Sequence, residues 1–240
     1  MIKLFRNIRK KLAAENKLLA YSRYAIGEIV LVVIGILLAL QISEWNTNYK
    51  RQKTETQLLQ DIHKEFLENK EQFKAVLSYH MISFGATGTL LNMMPIDLSK
   101  IKIDTIVSLL DKTYYNWTFN PQQSTINTLI STSSFDIISN VELRKLLQNW
   151  TDLYLDYNEE EIDLRNQVNN SYRPYMTKHY EIRSVKNRRP FEELNWDFLQ
   201  SIEFENLVGI QHKMLDNILN GNELEILSQT MDRIIELTLP

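Results

Sequence analysis

The chain contains no cysteine. It therefore has no disulfide framework, no thiolate nucleophile and no thiolate metal site. Glycine and proline are scarce too, at 6 and 5 residues in 240, which is well below average usage. Because these residues form turns and end helices, their scarcity predicts long helices joined by few turns. No run shows the sustained alternation of a β-strand, so we expect an all-α protein.

Several motifs that carry chemistry are also missing. The chain has no G-x-S-x-G elbow and no glycine-rich phosphate loop. None of its four histidines (His63, His80, His179 and His212) has a glutamate three residues earlier, so the Glu-x-x-His metal pattern is absent. His80 falls on an apolar stripe, which favours a hydrogen-bonded core residue. We expect a protein that is not an enzyme and that uses no metal or cofactor.

What the sequence does have is one long apolar run, Ala25 to Ile42 (AIGEIVLVVIGILLALQI), in which only Glu28 is charged. As a helix this run is about 27 Å long, close to the thickness of a bilayer core. No other stretch is comparable, so we predict one transmembrane helix at residues 24–45. A cleaved signal peptide is the alternative, but the preceding segment is long and no A-x-A-like cleavage site follows the run.

Charge is distributed unevenly about this run. Residues 1–23 carry seven basic side chains against one acid, a net charge of +6, which leaves −9 for the rest of a chain whose total is −3. The basic excess predicts a cytoplasmic N-terminus and an extracytoplasmic domain at residues 46–240. An acidic outer domain makes nucleic acid an improbable partner. The N-terminal segment has helical periodicity and is predicted to lie on anionic lipid headgroups, through Lys3, Arg6, Arg9, Lys10 and Lys11.

Glu28 has two interpretations. An ionisable residue in a membrane span is a functional candidate, and it shares a helix face with Val32, Gly35 and Ala39. Gly35 and Ala39 form a small-x-x-x-small pair, which lets two helices approach closely. This face is therefore a candidate helix–helix interface with a second copy or another membrane protein. Alternatively, Glu28 lies one turn inside the boundary and reaches back to water or to Arg23.

The run YAIGEIVLVVIGILLALQISEWN (Tyr24 to Asn46) follows a basic F-R-x-I-R-x-K-L start (Phe5 to Leu12). Together they resemble the N-terminus of an uncharacterised family of single-span membrane proteins, a domain of unknown function found in Gram-negative bacteria. The segment from Thr125 to Trp150 is similar to the central helical part of that family, although Ser134 replaces a usual glycine. The resemblance implies a bacterial inner-membrane protein with a periplasmic domain. It implies no activity.

The remainder of the chain predicts a helical bundle. A helical stripe indicates a helix from Lys50 to Met94, carrying Leu59, Ile62, Phe66, Phe73, Val76, His80 and Leu91. Asp104 is expected to cap a short helix, and Asn140 to cap a longer one reaching Asn170. Residues 204–219 and 223–239 are predicted to form a closing helical hairpin. The acidic run at residues 159–161 is expected to be a solvated face.

Two functions are compatible with this pattern. The first is an anchored interaction or scaffold protein that associates through the Glu28 face and presents its bundle for docking. The second is a periplasmic ligand-sensing domain that signals through a membrane partner. For the second, the aromatic residues Tyr114, Tyr115, Trp117 and Phe119 are a candidate ligand or docking loop. A basic loop at residues 183–190 is a weaker candidate for binding a phosphate or headgroup.

Overall fold

A computed structural model describes residues 18–179 and 194–239 of the chain. The predicted surface helix with its basic residues, and the basic loop at residues 183–190, lie outside the described residues. Within them the protein is all-helical and contains no β-strand. The expected fold class is thus confirmed for this part of the chain.

The helices, in chain order, are α1 (Leu18–Met93), α2 (Ile103–Lys112), α3 (Ser124–Thr132), α4 (Val141–Gln167), α5 (Arg173–His179), α6 (Ile202–Asn220) and α7 (Asn222–Leu237). Short 3₁₀ turns occur at Phe135–Ile137 and Asp197–Gln200, and a π-helical turn at Val168–Tyr172 joins α4 to α5. The predicted helix from residue 50 is part of α1, and the predicted closing hairpin corresponds to α6 and α7.

The chain separates into two compact units, Met1–Thr56 and Gln57–Pro240. In the first unit, α1 includes an 18-residue window with a mean hydropathy of 2.6, none of which is buried. Such a helix is long and apolar enough to cross a membrane, as an anchor or as a signal sequence. Its aliphatic side chains are exposed throughout, so this window is not the core helix of the folded chain.

The second unit is a helical bundle whose core lies between the C-terminal part of α1 and the helices α4, α6 and α7. The predicted α1 stripe is buried at Ile62, Phe66, Phe73, Val76 and His80. Trp150 of α4 is fully buried and meets Phe66 edge-on, with ring centroids 4.8 Å apart. Such aromatic pairs add to the free energy of apolar burial.

One of the two predicted helix caps is confirmed and the other differs from the structure. Asn140 caps α4 as expected, since its side-chain oxygen accepts a hydrogen bond from the Leu143 amide at 3.1 Å. Asp104, in contrast, lies in the first turn of α2 and does not cap it; the capping position is Lys102, which makes no side-chain cap. An acid in the first turn still interacts favourably with the helix dipole, which explains why the two patterns look alike in sequence.

The start of α3 is capped by another helix. Glu65 of α1 is buried, and one of its carboxylate oxygens accepts hydrogen bonds from the Ser124 hydroxyl at 2.6 Å and from the Thr125 amide at 3.0 Å and hydroxyl at 2.8 Å. At its other end, α3 is followed by the capping residue Ser133, whose φ of 51° is left-handed. Ser134, which replaces the glycine usual in the similar family, has φ −99° and is not the left-handed residue. The left-handed residue is its neighbour Ser133.

Gly88 allows α1 and α6 to cross closely. A Cβ atom at this position would lie 3.0 Å from Cε1 of His212, a contact tight enough to force movement. His212 is held in place because it stacks on Phe84 at 4.3 Å and its Nδ1 hydrogen-bonds the Thr87 hydroxyl at 2.9 Å. Gly88 therefore marks the close crossing of α1 and α6.

Candidate ligand cleft

The aromatic loop, residues 114–121, lies along α1 and is held there through its backbone and the residue that follows it. His80 Nε2 lies 2.8 Å from the carbonyl oxygen of Trp117. At the residue directly after the loop, Asn69 of α1 pairs with both backbone groups of Gln122: its amide nitrogen donates to the carbonyl at 2.8 Å and its oxygen accepts from the N–H at 2.7 Å. Polar side chains of α1 thus supply backbone hydrogen bonds that a helix or a strand would otherwise provide.

A buried carboxylate holds the loop from the other side. Glu161 of α4 is 1% exposed. Its Oε2 accepts a hydrogen bond from the Phe119 amide at 2.7 Å, and its Oε1 accepts one from the Tyr157 hydroxyl at 3.0 Å. The predicted solvated face is therefore wrong for Glu161, although Glu159 in the same run is exposed. Glu161 lies four residues after the buried Tyr157 and three before the buried Leu164. This helical spacing places it on the buried face of α4 and is the sequence signal for its burial.

His80 and Glu161 form a buried pair beneath the loop. His80 is fully buried, and its Nδ1 lies 3.8 Å from Oε1 of Glu161 with no hydrogen-bond partner. A carbonyl oxygen can only accept a hydrogen bond, so the contact with Trp117 places a proton on Nε2 of His80. Burial raises the pKa of Glu161 to about 7 and lowers the pKa of His80. The expected core position of His80 is confirmed. Of its two ring nitrogens, Nε2 is hydrogen-bonded and Nδ1 is not.

The outer surface of the loop forms one side of a cleft of about 350 Å³. Residues Asn116, Trp117, Thr118 and Asn120 line it from the loop, and Arg165 and Asn169 line it from α4 and the π-helical turn. Glu161, Arg165 and Asn169 follow one another at intervals of four, so one helix face carries the buried carboxylate and both cleft residues. Single π-helical turns occur frequently at functional sites.

The four aromatic candidates of the loop have different environments. Trp117 lines the cleft and stacks on Tyr79 with ring centroids 5.3 Å apart. Tyr115 meets the same Tyr79 edge-on at 5.3 Å. Tyr114 packs against Tyr172, and Phe119 is fully buried in the core. The cleft therefore presents one of the four rings, together with asparagine and arginine side chains that the aromatic pattern did not indicate.

The other candidate residues lie in the first unit or do not converge on a site. Glu28, Val32, Gly35 and Ala39 belong to α1, and Val32, Gly35 and Ala39 are exposed. Among the described residues, no group of three histidine, cysteine or acidic side chains could hold a metal ion. The cleft lining is accordingly mostly polar, with three asparagines, one threonine and one arginine, and Asn120 already donates a hydrogen bond to the Thr118 hydroxyl at 3.0 Å.

Comparison with known proteins supports the expected relationship. The Family of unknown function (DUF6090) matches residues 28–217. No curated protein and no solved structure matches the chain. The matched range covers most of the chain, from the apolar part of α1 to the last turn of α6. The chain therefore belongs to this family of unknown function.

Proposed function

We propose that the protein is a membrane-anchored, non-enzymatic interaction protein of the bacterial inner membrane. Its N-terminus is cytoplasmic, and its helical bundle lies in the periplasm. The apolar part of α1 associates with a second copy or with another membrane protein through Glu28, Val32, Gly35 and Ala39. The basic residues before it contact anionic headgroups, and the bundle offers the docking surface.

The observation that carries this proposal is the complete exposure of the apolar window of α1. Its mean hydropathy is 2.6, and none of it is buried against the rest of the chain. An exposed apolar surface of that length is unfavourable in water and marks contact with a membrane or a protein. Neither Gly27 nor Gly35 has a neighbour within 4 Å of a built Cβ atom, so the surface is open to another helix.

The decisive experiment is the mass of the full-length protein in mild detergent, measured by light scattering with the detergent contribution subtracted. We expect a defined oligomer, which supports self-association through the span. A monomer that also fails to retain any membrane protein from native membranes would contradict the proposal.

A second function, ligand sensing by the periplasmic bundle, is favoured by the cleft beside the aromatic loop. Pockets with a few convergent polar groups are the usual places for small ligands. The loop is attached to both α1 and α4 through His80 and Glu161, so a ligand held by the loop would act on two helices at once. Stabilisation of the full-length protein by a small molecule, read as an increase in Tm, tests this function. The absence of stabilisation by a broad metabolite set would contradict it.

A further inference from the structure

The exposed first part of α1 carries a stripe of side chains that continues beyond its apolar run. Positions seven residues apart are occupied by Gly35, Ile42 and Tyr49 in one set and by Leu31, Leu38, Trp45 and Gln52 in the other. We call these residues the heptad stripe, because alternating spacings of three and four residues place them along one side of the helix. Such a repeat, sustained over about three heptads, is typical of a coiled coil. Glu28 lies one heptad before Gly35, so the stripe continues the face proposed above.

The part of α1 that follows the apolar run is not packed against the rest of the chain. Every residue from 43 to 54 is exposed, and Trp45 and Tyr49 are 73% and 62% exposed. A helical segment of this length has little stability in water by itself, because most helical stability in proteins comes from packing an apolar face. Asparagine and threonine, which are frequent here, lower it further. A partner outside the described chain would stabilise this segment by covering its aromatic side.

The distribution of charge shows which side of the segment can be covered. Its charged side chains lie off the heptad stripe, at Glu44, Lys50, Arg51 and Lys53. Thr47 and Thr54 lie on the opposite side. Their hydroxyls donate hydrogen bonds to backbone carbonyl oxygens four residues earlier, at 2.9 Å and 3.1 Å, so they need no partner. The stripe is thus the side that can leave water without burying a charge.

Lipid does not account for the whole of the exposed stripe. With the proposed membrane anchor, the headgroup layer adds about 6 Å beyond the hydrocarbon core, which corresponds to about four residues after Ile42. Trp45 falls within that layer, where tryptophan is enriched, whereas Tyr49 and Gln52 lie beyond it in water. A second copy of the chain has the same orientation in the membrane and presents the same stripe at the same height.

We propose that α1 forms a parallel two-stranded coiled coil with a second copy of this chain, and that the contact continues out of the membrane through Trp45, Tyr49 and Gln52. This inference rests on the proposed function, since it names the partner of the Glu28 face and extends the contact into the periplasm. In a two-fold symmetric pair, each residue of the stripe faces its own counterpart. A polar Gln52 between the helices favours one register at some cost in stability.

The test is oxidative cross-linking of single-cysteine variants of the full-length protein in membranes, with copper phenanthroline as the oxidant. Because the chain contains no cysteine, any disulfide-linked dimer joins two copies through the introduced thiols. Tyr49→Cys lies on the stripe, whereas the control Thr47→Cys lies on the far side and is also at an exposed position. We expect at least about fivefold more covalent dimer from Tyr49→Cys, because only close Cα pairs can be bridged. Gln52→Cys, which keeps both aromatic rings, should cross-link like Tyr49→Cys.

Equal cross-linking of Tyr49→Cys and Thr47→Cys, or none in any variant, would overturn the proposal. A light-scattering mass above that of a dimer would overturn its two-stranded form. If light scattering shows a dimer but neither stripe variant cross-links, association is confined to the apolar run, so this inference is wrong and the proposed function stands. A monomer that retains no membrane protein would refute both.

Discussion

Nδ1 of His80 faces Oε1 of Glu161 at 3.8 Å in the interior of the bundle, and both side chains are completely buried. With no proton between them, a lone pair faces a carboxylate oxygen in a medium of low polarity, which is unfavourable. One shared proton makes the pair electrically neutral and allows a hydrogen bond. The two groups therefore titrate as a unit, and the unit holds the backbone of the aromatic loop at Trp117 and Phe119.

This pair predicts a pH-dependent stability. The pKa of Glu161 is raised from 4.5 to about 7 by burial, so the folded state binds more protons than the unfolded state in that window. The free energy of unfolding then falls as pH rises, by at most about 1.4 kcal/mol per pH unit. The pKa of His80 is lowered below 6.5, so its opposite contribution diminishes above pH 6.5, where the unfolded state loses its imidazole proton. From pH 6.5 to 8, stability should therefore decrease.

Glu161→Gln should abolish that decrease. Glutamine keeps an acceptor for the Phe119 amide and adds an N–H group near His80, as the protonated acid does. The other titratable groups facing the pair are Tyr157 and Tyr154, whose pKa values are raised above 10 and so do not titrate in this range. Urea unfolding of the full-length protein between pH 6.5 and 8, with exposed Glu159→Gln as the control, measures the effect. A flat wild-type profile would contradict it.

Glu65 provides a second prediction. Its carboxylate accepts three hydrogen bonds from Ser124 and Thr125 at the start of α3. Glu65→Ala removes the charged acceptor of three partly buried hydrogen bonds and should cost about 1–3 kcal/mol of unfolding free energy. Glu65→Gln should cost less, because it keeps an oxygen. Glu71→Ala, at an exposed position on the same helix, should change stability by less than about 0.5 kcal/mol. Equal effects of the alanine variants at Glu65 and Glu71 would refute the capping role.

Gly85 and Gly88 form a matched pair of helical glycines. A Cβ at Gly85 meets nothing within 4 Å, whereas at Gly88 it lies 3.0 Å from His212. Gly85→Ala should stabilise the protein by about 0.5–1 kcal/mol through helix propensity. Gly88→Ala should destabilise it by about 1–3 kcal/mol through overpacking. Removing the ring in a Gly88→Ala, His212→Ala double variant should relieve the clash, giving a non-additive cycle. Additive effects would mean that the crossing tolerates the methyl group.

The apolar part of α1 offers the fourth prediction. If the Glu28 face is an interface, Gly35→Leu should weaken self-association in detergent by about tenfold, because it separates the helix backbones. Gly27→Leu makes the same change about 80° around the helix from Gly35 and should have little effect. Glu28→Gln should weaken association if the carboxylate makes a polar contact. The measurement is the mass of each of the three variants in detergent by light scattering. An intact oligomer in Gly35→Leu would exclude this face.

Sequence periodicity predicted the helices well where apolar stripes were long. The buried stripe of α1 and the cap at Asn140 follow from spacing alone, since both are local features. The cleft could not be found this way, because its residues come from a loop and from a helix more than forty positions later. Glu161 was misassigned because its acidic neighbours indicated a solvated face, and only tertiary packing buries one member of such a run.

Chain length itself controls how α5 packs after α4. The π-helical turn at Val168–Tyr172 accommodates one residue more than an α-helical turn. A related chain with a single deletion between Gln167 and Arg173 would regain a continuous α-helix, and the buried side chains of Tyr175 and Met176 would rotate by about 100° relative to α4. Insertions and deletions at this turn are thus a route by which relatives could repack this end of the bundle without any substitution.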